Sequence, residues 1–290
     1  MSAVVIQTLK KHFGKINAID GISIDVPEGQ IFGFLGPNGA GKTTTIRCMM
    51  NFIHPSEGTI TLLGKDSKKD YVELKKDVGY LSSDISLYDN WTGQEHIDFV
   101  EKIRDNGNYA KDLVARLGFD GKRKVKHLST GNKQKLGIIL AFAGNPRLLI
   151  LDEPTRGLDP LLQNEMYTIL RELQENGTTV FMSSHNLPEV EKVCDQVAII
   201  KNGLLIETGN IEAIQKRNVH IITAYFTDDY SKDEFTDSGI EGIIELPQGL
   251  QFTARGDINP LIAKLSNHTL KDLEVAHASL EDIFMEVYNQ

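Results

Sequence analysis

The apolar positions of this 290-residue chain change their period along its length. Residues 3–35 read as short β segments, broken by turn signals at His12-Phe13-Gly14-Lys15 and Pro27-Glu28-Gly29. Residues 57–64 add a strand that ends on a glycine turn. From about 92 to 145 the spacing becomes helical. Thr92-Gly93-Gln94-Glu95 has the form of a capping box, opening a helix through Arg104, and Leu113, Ala115, Leu117 and then 134–143 extend the helical character. Apolar strands return at 148–151, 178–182 and 196–200, separated by helices over 161–175 and 187–194. Strands alternating with helices predict an α/β fold with a mostly parallel sheet. Beyond 218 the pattern predicts a separate small α+β unit: a strand over 219–227, a hairpin over 240–255, a helix over 258–266, a strand over 270–276 and a helix over 279–288.

Charge supports a division at that point. The whole chain carries −9, and residues 219–290, with 13 acidic and 4 basic side chains, account for all of it. The expected domains are therefore 1–218, with a helical part at about 84–145, and 219–290. An acidic tail disfavours polyanionic partners, so no nucleic acid is expected. The longest strongly apolar stretch, 136–144, is far below the ~20 residues needed to span a bilayer. The amino terminus lacks the pattern of a signal peptide. Two cysteines, Cys48 and Cys194, have neither metal-ligand nor redox spacing and read as buried, reduced thiols.

The chemistry begins at Gly36-Pro37-Asn38-Gly39-Ala40-Gly41-Lys42-Thr43, a complete G-x-x-x-x-G-K-[ST] loop. A β-like run precedes it and a helix-compatible run follows, which is the context this motif requires. The glycines let the backbone wrap an anion, so its N–H groups and the helix start face phosphate oxygens. Lys42 would reach the β- and γ-phosphates, and the Thr43 hydroxyl would ligate Mg²⁺. Gly36, Asn38, Gly39, Ala40, Gly41, Lys42, Thr43 and Thr44 form the candidate nucleotide-binding set. Asp152 and Glu153 end the 148–151 strand, 110 residues after Lys42. One carboxylate there can hold Mg²⁺ and the next can polarise an attacking water.

In this order the motifs resemble the ATP-binding subunit of ABC transporters over residues 3–217. The resemblance implies a phosphate-loop ATPase core with a mostly parallel sheet, an antiparallel β subdomain and a helical subdomain. It identifies 36–43 as Walker A, 148–152 as Walker B with Asp152 at the metal, and Glu153 as the catalytic carboxylate. Leu158-Asp159 matches the D-loop, and His185, after Ser183-Ser184, matches the switch histidine that contacts the γ-phosphate. Phe13 falls where the family stacks an aromatic on adenine, although a lone aromatic near β segments is ordinarily core. Leu128-Ser129-Thr130-Gly131-Asn132-Lys133-Gln134 resembles the signature. It implies that Ser129 and Gly131 cap the γ-phosphate bound to a second ATPase subunit, either an identical copy or a paralogue; the same residues also read as a helix N-cap.

Two positions depart from the family. Thr130 replaces the first signature glycine, and Ser83 stands where the family keeps its Q-loop glutamine; a serine reaches a metal there only through water. The implied cofactors are ATP and Mg²⁺. The implied partners are separate transmembrane permease subunits, docking near 83–95 and its Trp91, which would hold the chain peripherally at the cytoplasmic face of the membrane. The tail, with Ser279-Leu280-Glu281-Asp282-Ile283-Phe284, resembles the extension of drug-exporter-like members, so export is the expected direction. A soluble ABC ATPase acting on ribosomes or DNA is the alternative. Relatives of those kinds carry two cassettes or a long coiled-coil insertion, and this chain has neither.

Overall fold

Alternating burial makes amphipathic strands of the amino-terminal segments. Ser2–Phe13 (β1) and Ile16–Pro27 (β2) form an antiparallel ladder that turns at Gly14, whose φ is +58°. The computed structural model describes residues 1–104, 109–211, 213, 219–236 and 240–277. Next come Ile31–Leu35 (β3), Lys42–Met49 (α1), Glu57–Leu62 (β4), Lys65–Asp66 (β5), Tyr71–Asp77 (α2) and Val78–Leu81 (β6). The helical part comprises Gly93–Arg104 (α3), Tyr109–Arg116 (α4) and Thr130–Phe142 (α5). Leu148–Asp152 (β7), Pro160–Glu175 (α6), Thr179–Ser184 (β8), Leu187–Val193 (α7), Gln196–Lys201 (β9) and Leu204–Asn210 (β10) follow.

Two sheets share one core. The first is antiparallel, in the order β2-β1-β4-β5; the second has six strands in the order β10-β9-β3-β8-β7-β6 and is parallel from β9 to β6. Every residue of β3, β7 and β8 is buried, as expected of parallel strands covered on both faces. Ile46 and Met49 of α1 pack with Val4, Ile6 and Ile24 of the first sheet and with Phe34, Ile150 and Phe181 of the second. The register is what builds the site: Leu35 pairs with Ser184 and Asp152 with Ser183, so β3, β7 and β8 end level with one another.

The capping box at α3 is formed as the sequence predicts. The Thr92 N–H donates to Glu95 at 2.6 Å, and the Glu95 N–H donates to the Thr92 hydroxyl at 3.2 Å. Arg116 at the end of α4 donates to Glu165 (2.6 Å) and Glu172 (2.5 Å) of α6 and so clamps helical part to sheet part. Cys48 and Cys194 are buried free thiols; burial pushes Cys48 up to about 11 and raises Cys194 as well, which makes both unreactive.

The chain divides into compact units Met1–Thr208 and Gly209–Gln290. In the second, Val219–Phe226 (β11), Ile240–Leu246 (β12), Gly249–Arg255 (β13), Asn259–Leu265 (α8) and Leu270–His277 (β14) form an antiparallel sheet in the order β12-β13-β11-β14. Phe235, Phe252, Leu261 and Leu265 are central to its core. The helix expected over 279–288 lies outside the described residues. Among the described residues, no helix is long and apolar enough to cross a membrane.

Candidate functional site

The loop between β3 and α1 closes on glycines for steric reasons. Gly41, the N-cap of α1, has φ +113°, and a Cβ there would stand 2.6 Å from the Ala18 carbonyl. A Cβ on Gly36 would meet the Ile200 carbonyl at 2.4 Å. No side chain caps α1, so its first N–H groups have no side-chain acceptor and offer themselves to an anion. Ala18, Asn38, Gly39, Gly41, Lys42, Thr43, Thr44 and Glu153 line a cleft of about 150 Å³ at this point. Ala40 is buried behind the loop, and its N–H donates to Pro37 O.

Lys42 is 5% exposed. Its Nζ donates to Gly36 O at 2.6 Å and Pro37 O at 3.1 Å, and lies 3.7 Å from Glu153 Oε1. Burial lowers its pKa, partly offset by the carboxylates of Glu153 and Asp152. Asp152 is wholly buried. Ser183 donates to its Oδ1 at 2.6 Å and Ser83 to its Oδ2 at 3.0 Å. Glu153 follows with φ +50°, an uncommon conformation for a residue with a side chain; its N–H donates to Ser183 O and Oγ. The same Glu153 Oε1 lies 3.1 Å from His185 Nδ1. Lys42, Glu153 and His185, far apart in sequence, thus meet at three adjacent strand ends.

Residues 19–156 match the family described as ABC transporter. The bacitracin transport ATP-binding protein BcrA of Enterococcus faecalis is 40% identical over 219 residues, covering 73% of this chain and 70% of that protein. Its namesake from Bacillus licheniformis is 34% identical over 304 residues, covering 99% and 98%. The chain belongs to the ABC transporter family. It is an ATP-binding subunit, and membership carries ATP hydrolysis. A solved ATP-binding subunit of an ABC transporter has the same fold, with a TM-score of 0.67 and 26% identity over 74% of this chain and 92% of that one. Another solved relative, cbiO1 from Clostridium perfringens, is 27% identical over 74% of this chain and 91% of that one, with a TM-score of 0.62, and is described as part of the ABC transporter complex cbiONQ.

The other predicted residues of this ABC subunit sit apart from Lys42, and none of Phe13, Ser129, Gly131 or Asp159 lines the cleft around it. Phe13, at the β1–β2 tip, is 49% exposed with Lys11 Nζ 4.8 Å from its ring centre, so it is not a core residue. Exposed Ser129 caps α5 by accepting the Asn132 N–H at 3.3 Å. Gly131 faces the Gly157 carbonyl, which a Cβ would approach to 3.2 Å. Asp159 caps α6 by accepting the Leu162 N–H at 3.0 Å. Gln134 anchors the start of α5 by donating to Pro154 O at 2.7 Å.

Sequence reasoning treats Ser183 and Ser184 only as the lead-in to His185, and it treats Ser83 as a shortened metal ligand. The bonds of Ser183 and Ser83 to Asp152 follow from strand register, which no local pattern encodes.

Proposed function

We propose that this chain hydrolyses ATP at the Lys42–Glu153–His185 cluster, as one of two ATPase subunits that drive a separate membrane permease in export. The observation that carries this reading is the meeting of those three side chains beside the uncapped start of α1. Lys42 would exchange its backbone acceptors for the β- and γ-phosphates. Glu153 would accept a proton from the attacking water. His185, with Nδ1 turned to Glu153, would present the far side of its ring to the γ-phosphate. Phe13 would stack on adenine, and its exposed ring is available for that. Ser129 and Gly131 would close the site of the other subunit, which fits their position outside the cleft, and Asp159 would lie at the seam between subunits.

The donor set suits Mg²⁺. Asp152 and Thr43 offer hard oxygens, and among the described residues no cluster of three His, Cys, Asp or Glu side chains forms an all-protein cage. Asp152 and Thr43 would hold the ion together with the phosphates, where it supplies neutralisation of charge on the phosphate oxygens. Export is favoured because a relative aligned along nearly its whole length is named for bacitracin transport, and another is named for linearmycin resistance. Purification from detergent-solubilised membranes tests the reading: a multispanning membrane protein should accompany the chain, and that complex should hydrolyse ATP. A chain that comes alone from such membranes would refute the permease assignment.

A further inference from the structure

A buried acid that no motif marks lies behind the histidine. Glu189, in the first turn of α7, is 4% exposed. Its Oε2 accepts from the Ser184 hydroxyl at 2.5 Å, while Oε1 is buried with no hydrogen-bond partner. The Ser184 hydroxyl accepts the Asn186 N–H at 2.9 Å, and Asn186 Oδ1 accepts the Glu189 N–H at 3.4 Å. Residues 184, 186 and 189 therefore form a closed ring of bonds. His185 sits between two members of that ring, with its own side chain exposed and directed at Glu153.

We propose that Glu189 is a positioning residue, which fixes the 184–186 turn so that His185 meets Glu153. The proposal rests on the ATPase reading above but adds a residue to it. A histidine on a strand-end turn has free backbone torsions on its carboxyl side. The buried side chain holds the Ser184 hydroxyl directly, and that hydroxyl in turn accepts the Asn186 N–H. Fixing both neighbours of His185 in this way removes that freedom and holds the ring in place before substrate arrives. The carboxyl suits this task because it is anchored from several sides. Ser184 holds it from β8, the hydroxyls of Thr155 and Tyr167 act on it as well, and the other titratable groups that influence it are His185, Glu153 and the Cys194 thiol. Burial first, and then Glu153, raise its pKa, opposed by Ser184, Thr155 and His185. A buried carboxyl is costly to keep, and the ring of bonds around His185 is what this one closes.

The test is a set of variants of the full chain. Glu189→Gln keeps an acceptor for Ser184 and should stay near wild-type activity. Glu189→Ala should lower kcat by about tenfold to 100-fold with little change in KM for ATP, as expected of a misplaced group. The decisive arm is His185→Ala: if Glu189 acts through His185, adding Glu189→Ala to that background should cost nothing further. Equal losses in both backgrounds would overturn the proposal. A readout without turnover accompanies this one. The His185 ring resonance in NMR spectra should move in Glu189→Ala and stay in Glu189→Gln; an unmoved resonance in a folded Glu189→Ala protein would also overturn it. A wild-type chain without hydrolysis would instead count against the ATPase reading, leaving the ring resonance to judge Glu189.

Discussion

Two helices of this subunit begin in opposite ways. The start of α1 has a glycine N-cap and no side-chain acceptor, and it faces Lys42, Thr43 and Glu153 within one chain. The start of α5 has Ser129, whose hydroxyl already accepts a backbone N–H, and it stands outside that cleft. An open helix start is a finished anion site. A capped one is self-sufficient, so binding phosphate there requires sharing the cap. The difference teaches that the α1 end of the proposed site is complete in a single chain, while the α5 end is capped by its own residue and, on the proposed reading, would serve a neighbour.

The largest effect should come at the α1 end. Glu153→Gln should keep ATP binding but lose roughly 10²–10⁴-fold in turnover, seen as tight nucleotide retention with almost no phosphate release. Lys42→Ala should instead weaken nucleotide binding itself. Normal hydrolysis by Glu153→Gln would remove the chemistry from this end and collapse the comparison.

Mixing then tests whether the two ends serve different chains. Glu153→Gln and Gly131→Asp proteins should each be inactive alone. In a mixed dimer one of the two sites combines Glu153 from one chain with Gly131 from the other, so hydrolysis should return to roughly a quarter of wild type in an equal mixture. No recovery would mean that both ends act within one chain.

Ser129 can be split into its two jobs. Aspartate caps a helix as well as serine does, but it places a negative charge where phosphate would arrive. Ser129→Asp should therefore keep its melting temperature and lose about tenfold or more in hydrolysis. Ser129→Ala should lose about 1 kcal/mol of stability with the cap. If Ser129→Asp hydrolyses ATP normally, the α5 start is only a cap.

Much of this was legible in the sequence because it is local. The phosphate loop, the capping box at Thr92 and the strands read at 148–151 and 178–182, observed at Leu148–Asp152 and Thr179–Ser184, declare themselves by spacing and residue type. The sequence reading passes over β10, although Asn202-Gly203, both with positive φ, carries the residue signal of a two-residue hairpin turn. It also passes over β6, an edge strand of only four residues that is too short for a clear period. The partners of Asp152 were hidden for a different reason. Ser83 lies 69 positions away and Ser183 lies 31, and only the β6–β7–β8 register brings them to the same carboxylate.

Those two serines supply the smallest expected effect. Both donate to Asp152, so composition alone would rank them equal. Ser183 is fully buried between strands; Ser83 is half-buried at the end of the edge strand. Removing a buried donor strands a carboxylate oxygen, at a cost of about 1–3 kcal/mol, whereas water can replace a donor that solvent already reaches. Ser183→Ala should therefore cost about tenfold in hydrolysis, and Ser83→Ala only a few-fold or less. Ser83→Gln restores the family's longer side chain, so it should raise permease-stimulated hydrolysis more than basal hydrolysis. A loss in Ser83→Ala as large as that in Ser183→Ala would mean that solvent does not reach Asp152 Oδ2. Ser83 would then be an essential member of the site, and its departure from the family's glutamine would be a substitution of one required group for another.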